Sequence, residues 1–198
     1  MTWNIDYYFA TVSPYAYLGH DRFVAIAHKH AAMVAVKPIN MGEVFPVSGG
    51  LPLSKRAPQR QAYRLVELRR WAQFLNKPMN IQPKFFPVNG DLAAFWILAA
   101  GEMGAAHALA LAGAVGRALW EQERNIADAT TIEAIAAECG LPGALAGRAQ
   151  APEIAAKYAA LTQESIARGV FGAPTYVVED ELFWGQDRLD FLDRKMAK

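Results

Sequence analysis

Cysteine is almost missing from this chain: Cys139 is the only one in 198 residues. A disulfide framework within the chain is thereby excluded. An excess of one charge is missing too. Twenty Lys and Arg face 19 Asp and Glu, for a formal net charge of +1, so no long-range field favours nucleic acid or an anionic membrane. No long apolar run goes unbroken. The longest, between Leu92 and Leu119, is interrupted by Glu102, His107 and Arg117, whereas a bilayer span needs about 20 mostly apolar residues. Its many Gly and Ala residues predict two helices whose backbones approach closely. The opening residues Met1 to Asp6 lack the basic stretch and apolar core of a signal peptide. With the lone cysteine, this points to a reducing, cytoplasmic setting. No phosphate loop or dinucleotide fingerprint occurs. His20, His28, His30 and His107 form no metal pattern, and His28 and His30 are not helix-face neighbours; no metal site is expected.

What is there suits a globular protein with a sizeable core: 53% hydrophobic and 20% charged residues. Ile5 to Phe9 predicts a buried strand. Ser13-Pro14 follows, with Ser favoured as an N-cap and Pro at the first helical position. A helix is expected from Pro14 to Ala32, with Phe23, Ile26 and Ala27 on one stripe. Val34-Ala35-Val36 leads a second strand, stopped near Pro38. The opening is thus a βαβ unit with parallel pairing. The Gly- and Pro-rich stretch from Gly42 to Pro58 reads as a loop of functional length. A helix follows over 59–75, then helices near 91–101, 104–122, 131–139, 143–149 and from Pro152 to Gly169. Gly140 suits a C-terminal cap. The chain closes with strands at Thr175–Val178 and Leu182–Trp184 around a Glu179-Asp180 turn, then a helix from Asp187 to Met196. The order βαβ, helical block, ββα is that of a thioredoxin-like α/β fold with an all-helical insertion. The thioredoxin-like part is expected at 1–45 and 168–198, the insertion at 46–167.

Three segments invite a chemical reading. Ser13-Pro14-Tyr15-Ala16 stands where a thioredoxin-type redox pair would read Cys-x-x-Cys. Neither end carries sulfur, so thiol–disulfide exchange, which needs a protein thiolate, is excluded there. Cys139 falls inside a predicted helix and reads as a small buried residue. Ala173-Pro174, before the third strand, would expose the Ala173 N–H and C=O if its peptide is cis, and an extended peptide could pair with them. Asp187 and Arg188 open the last helix, as caps or as ligand contacts. Lys55, Arg56 and Arg60 could bind a carboxylate or simply form a solvated face.

Taken together, Ser13-Pro14-Tyr15-Ala16-Tyr17-Leu18, Val170-Phe171-Gly172-Ala173-Pro174-Thr175 and Phe183-Trp184-Gly185-Gln186-Asp187-Arg188-Leu189, with Tyr63 and Arg70-Trp71-Ala72 between them, resemble the 2-hydroxychromene-2-carboxylate isomerase family. That family is similar to kappa-class glutathione transferases and, more distantly, to DsbA-type oxidoreductases. The resemblance implies glutathione as cofactor, with Ser13 at its sulfur, Ala173 before the cis Pro174 pairing with its backbone, and Gln186-Asp187 at its γ-glutamyl end, with Arg188 next to them as a further candidate contact. It implies Tyr63 and Asn89 toward a small aromatic carboxylate substrate, beside Lys55 as the basic candidate for its carboxylate, and a homodimer. Relatives often carry Asp where Ala10 and Thr11 stand here, and Asn near Gly49-Gly50.

The implied chemistry is physically reasonable. A free thiol has a pKa of about 8.5. Lowering it by one to two units takes about 1.4 to 2.7 kcal/mol. A helix N-terminus contributes up to ~2 kcal/mol in favourable geometry, and a hydroxyl adds a charge-assisted hydrogen bond. Thiolate addition to an activated double bond, rotation and elimination would interconvert 2-hydroxychromene-2-carboxylate and trans-o-hydroxybenzylidenepyruvate without consuming glutathione. Conjugation of an electrophile, or a non-catalytic glutathione- or partner-binding module, would use the same site.

Overall fold

A computed structural model of the chain describes residues 2–197; the terminal residues 1 and 198 of the expected domain range lie outside it. The first strand, β1 (Asn4–Phe9), obeys a period of two. Ile5, Tyr7 and Phe9 enter the main core, and Tyr8 enters a smaller cluster on the opposite face with Ile39, Val44, Val170 and Val177. Helix α1 (Pro14–Lys29) starts at the Ser13 cap and ends three residues before the expected Ala32. There the chain turns through Ala31, at φ 48°, into β2 (Met33–Pro38). β2 runs parallel to β1, as the βαβ reading requires.

The chain next forms α2 (Met41–Ser48), correcting the expectation of an irregular loop from Gly42. Gly42 and Pro46 look like breakers, but Asn40 caps the helix by accepting from the Gly42 N–H at 2.8 Å, and fully buried Val44 anchors it beneath the sheet. A 3-10 turn, Leu53–Lys55, occupies part of the remaining stretch. The expected boundary at 45/46 falls inside α2.

Helices α3 (Pro58–Phe74), α4 (Asp91–Gly101), α5 (Ala105–Trp120), α6 (Ala129–Glu138), α7 (Leu145–Ala149) and α8 (Pro152–Ala167) form the helical block. Small residues set its close approaches. A Cβ on Gly101 would meet Ala108 at 3.6 Å across the α4–α5 pair, and one on Gly116 would meet Tyr17 of α1 at 3.2 Å. Gly140, at φ 73°, follows α6 as expected, while Cys139 caps that helix and is half-buried rather than interior. Burial raises its thiol pKa.

β3 (Thr175–Val178) and β4 (Glu181–Trp184) complete a sheet of order β2-β1-β3-β4, with β3 antiparallel to both neighbours. A short 3-10 turn (Gln186–Arg188) leads into α9 (Leu189–Met196). One apolar cluster joins the sheet to the helical block: Tyr7 stacks on Tyr176 and Phe23 packs tilted against both, at centroid separations of 4.6 to 5.3 Å, continuous with Ile97, Leu111 and Trp120. On the other face Lys37 bridges Asp6 at 2.8 Å and Glu164 at 2.6 Å. No helix among the described residues is long and apolar enough to cross a membrane.

Candidate functional site

The start of α1 leaves one amide free. Pro14 has no N–H; Ala16 donates to Ser13 Oγ at 3.2 Å, and Tyr17 donates to Ser13 O at 3.1 Å. Among the described residues nothing accepts from the Tyr15 N–H. This amide and the positive end of the helix dipole make the terminus receptive to an anion. The Ser13 hydroxyl donates to Ala173 O at 3.3 Å, tying the helix start to the loop before β3. The Ala173–Pro174 peptide is cis, and no described residue accepts from the Ala173 N–H.

Around this junction lies a cleft of about 590 Å³, within the range of small-molecule sites. One wall is Phe171, Gly172 and Ala173; the next is Trp184 to Arg188; the third is Phe45 and residues 48–51 at the end of α2, with Arg56, Arg60 and Glu67 on and before α3. Close backbone approaches shape it. Gly185 donates to Pro174 O at 2.9 Å, stapling β4 to the cis-proline loop. Gly172 admits the Trp184 indole, whose nitrogen would lie 2.2 Å from any Cβ there. Phe171 meets Trp184 edge-on at 4.8 Å. Gly49, at φ 75°, ends α2 in the left-handed conformation that glycine adopts without strain.

The structure sorts the residues singled out from sequence. Ser13 is half-buried behind Ala173 rather than on the cleft wall itself, and Ala173, Gln186, Asp187 and Arg188 line the cleft. Pro174 is buried beneath them. Gln186 is 1% exposed. Its side-chain oxygen accepts from Arg22 at 3.2 Å, and its side-chain amide nitrogen is buried without a partner. It therefore anchors its segment to α1 and meets the cleft along its backbone. Asp187 and Arg188 pair with each other at the mouth. Arg56 and Arg60 line the cleft; Lys55 is exposed on the adjacent turn and does not. Tyr63 lies on the outer face of α3, 58% exposed. Asn89 stands just before α4, where its side-chain oxygen accepts from the Asp91 N–H at 2.7 Å. It still neighbours the α1 start, because Thr11 Oγ1 donates to Gly90 O at 2.9 Å.

Tyr15, in the quoted helix-start motif, lines the cleft, while Glu67, Phe45, Ser48 and Leu51 line it without having been singled out from sequence. The Tyr15 hydroxyl donates to Glu67 at 2.7 Å. Burial, followed by that carboxylate, pushes its pKa well above the usual phenol value. Glu67 follows Arg60 by seven residues, and that helical spacing is the one signal that could have placed it.

A strand-flanked helix start and a cis-proline loop define a thioredoxin-fold protein, with Ser13 and Ala16 at the two positions of the helix start where a redox pair would carry sulfur. The DsbA-like thioredoxin domain model matches residues 4–197, and the chain belongs to that family. It is 28% identical to a 2-hydroxychromene-2-carboxylate isomerase of Sphingobium xenophagum over 98% of this chain and 97% of that one. It is equally identical to one of Pseudomonas putida, over 98% and 94%. The solved structure of a 2-hydroxychromene-2-carboxylate isomerase superposes with a TM-score of 0.81 at 27% identity, covering 98% of this chain and 94% of that one.

Proposed function

We propose that this protein is a glutathione-dependent isomerase acting on 2-hydroxychromene-2-carboxylate and trans-o-hydroxybenzylidenepyruvate. The observation that carries the reading is the helix start: Tyr15 and Ala173, whose N–H groups meet no acceptor among the described residues, line one cleft, and the Ser13 hydroxyl lies directly behind Ala173, with no sulfur among the lining residues. The near full-length likeness to proteins named for this isomerisation supports it. In the proposed mechanism, the glutathione backbone pairs with Ala173 and its α-carboxylate meets the start of the Gln186–Arg188 turn. The sulfur sits at the α1 N-terminus, where Ser13 turns its proton from Ala173 O to the thiolate. That exchange gives up only a long, weak bond of 3.3 Å. Thiolate adds to the substrate's activated double bond, the resulting single bond rotates, and elimination restores the thiolate.

The test is a spectroscopic isomerisation assay with glutathione well below substrate concentration, followed by a thiol titration. Interconversion that needs glutathione and leaves the thiol titre unchanged supports the proposal. Stoichiometric thiol loss makes the protein a conjugating transferase instead. Absence of both turnover and thiolate absorbance leaves a binding module.

A further inference from the structure

Arg64 is charged, sits on α3 one turn beyond Arg60, and is 8% exposed. Buried guanidinium groups ordinarily sit against a carboxylate or carbonyl. Among the described residues no oxygen accepts a hydrogen bond from Arg64. Its contacts are aromatic: it lies 5.2 Å from the centre of the Phe86 ring and 5.9 Å from that of Trp120. The Trp120 indole N–H, buried in the same corner, also lacks an acceptor. The Trp120 nitrogen is sealed from solvent, whereas the Arg64 nitrogens, without a protein acceptor among the described residues, keep a narrow contact with solvent. On α3, Arg64 falls between Arg60 and Glu67 at the spacing of one helix face, and both of those residues line the cleft, so the corner adjoins it. Glu67, on the same face of α3, is engaged by the Tyr15 hydroxyl at 2.7 Å. Arg56, Arg60 and Arg64 outnumber it on this side.

We propose that Arg64, seconded by the Trp120 indole N–H, receives the carboxylate of the second substrate, an aromatic or α-keto acid. This rests on the reading of the cleft as a substrate site and deepens it. A guanidinium stacked on rings keeps its donor fork for a planar acceptor, and a carboxylate matches that fork with two hydrogen bonds. The ligand then supplies the missing counter-charge. This also answers why Lys55, outside the cleft, is not needed for that task.

The probes are salicylate and its neutral counterpart salicylamide, with binding to wild type, Arg64→Met and Arg64→Lys followed by Trp fluorescence and calorimetry. Wild type is expected to prefer the anion. R64M should bind salicylate about 10- to 100-fold more weakly, the value of a hydrogen bond to a charged group, and salicylamide unchanged. Its glutathione affinity and thiolate absorbance should match wild type. Salicylate binding by R64M equal to wild type, or no preference for the anion in wild type, overturns the proposal. If R64M does not fold, R64K decides: wild-type salicylate affinity in that variant removes the bidentate role. Arg64-dependent salicylate binding without any glutathione thiolate would keep this inference and sink the isomerase reading. An intact thiolate band with Arg64-independent salicylate binding would do the reverse.

Discussion

Replacing Ser13 by Ala and by Gly separates two tasks of one hydroxyl. As a cap, its oxygen accepts from the Ala16 N–H at 3.2 Å. As a donor, it would hold the thiolate. Ser→Ala at an N-cap costs typically ~1 kcal/mol, whereas Ser→Gly costs only a few tenths. The 3.3 Å bond to Ala173 O is lost in both and adds at most about 0.5 kcal/mol. For a chain of this size each kcal/mol moves Tm by roughly 2–4 °C. S13A should therefore melt about 3–6 °C below wild type and S13G about 1–3 °C below. Both lose the same charge-assisted donor, worth ~1.5–3 kcal/mol, so bound glutathione should titrate about one to two pKa units higher in each. Thermal melting by circular dichroism and thiolate absorbance against pH read the two effects separately. If the thiol pKa follows Tm, with S13G close to wild type, the hydroxyl is only a cap and the reasoning fails.

Gly19→Ala would place a Cβ 2.7 Å from that of Gln186, which Arg22 pins in place. A destabilisation of about 1–3 kcal/mol with weakened glutathione binding is expected, and an unchanged melting curve contradicts the packing described. Gly172→Ala should displace the Trp184 indole at little cost to stability, because Trp184 is 51% exposed and can swing outward. Calorimetry should show weaker glutathione binding, and equal affinity would remove that wall from the site. Burial lowers the His20 pKa to about 4, so the folded state keeps it neutral where the unfolded chain, near 6.5, takes a proton. The stability this contributes is complete above pH 6.5 and is lost as pH falls from 6.5 through 4, by up to ~3 kcal/mol. His20→Gln should flatten that part of the stability–pH curve, measured by denaturant unfolding; parallel curves would refute it.

Much of the fold was legible because local signals agreed with tertiary ones. The alternation of Ile5, Tyr7 and Phe9, the Ser13-Pro14 cap and the Glu179-Asp180 turn each specify an element by short-range physics. Helix α2 was hidden because Gly42 and Pro46 weigh against it locally, while its stabilisation comes from Val44 packing onto the sheet. Asn40 was the available clue. The helix-start half of the site was legible for the same reason as the fold: Ser13 and Ala173-Pro174 sit at element ends. The opposite wall was not. Arg60, Tyr63, Arg64 and Glu67 are all polar or amphipathic positions on one helix, and only the angle at which α3 meets α1 decides which face inward. That angle turns Arg64 and Glu67 in and leaves Tyr63 in solvent. Lys55 and Arg56 are adjacent in sequence, yet only Arg56 reaches the cleft.

The central claim is that the α1 N-terminus holds a borrowed sulfur as its anion. Titrating the thiolate absorbance of glutathione on the wild-type protein from acid to alkaline pH tests it most directly. A midpoint about one to two units below the free-thiol value of ~8.5 is the predicted result. A bound thiol that titrates where free glutathione does would contradict it.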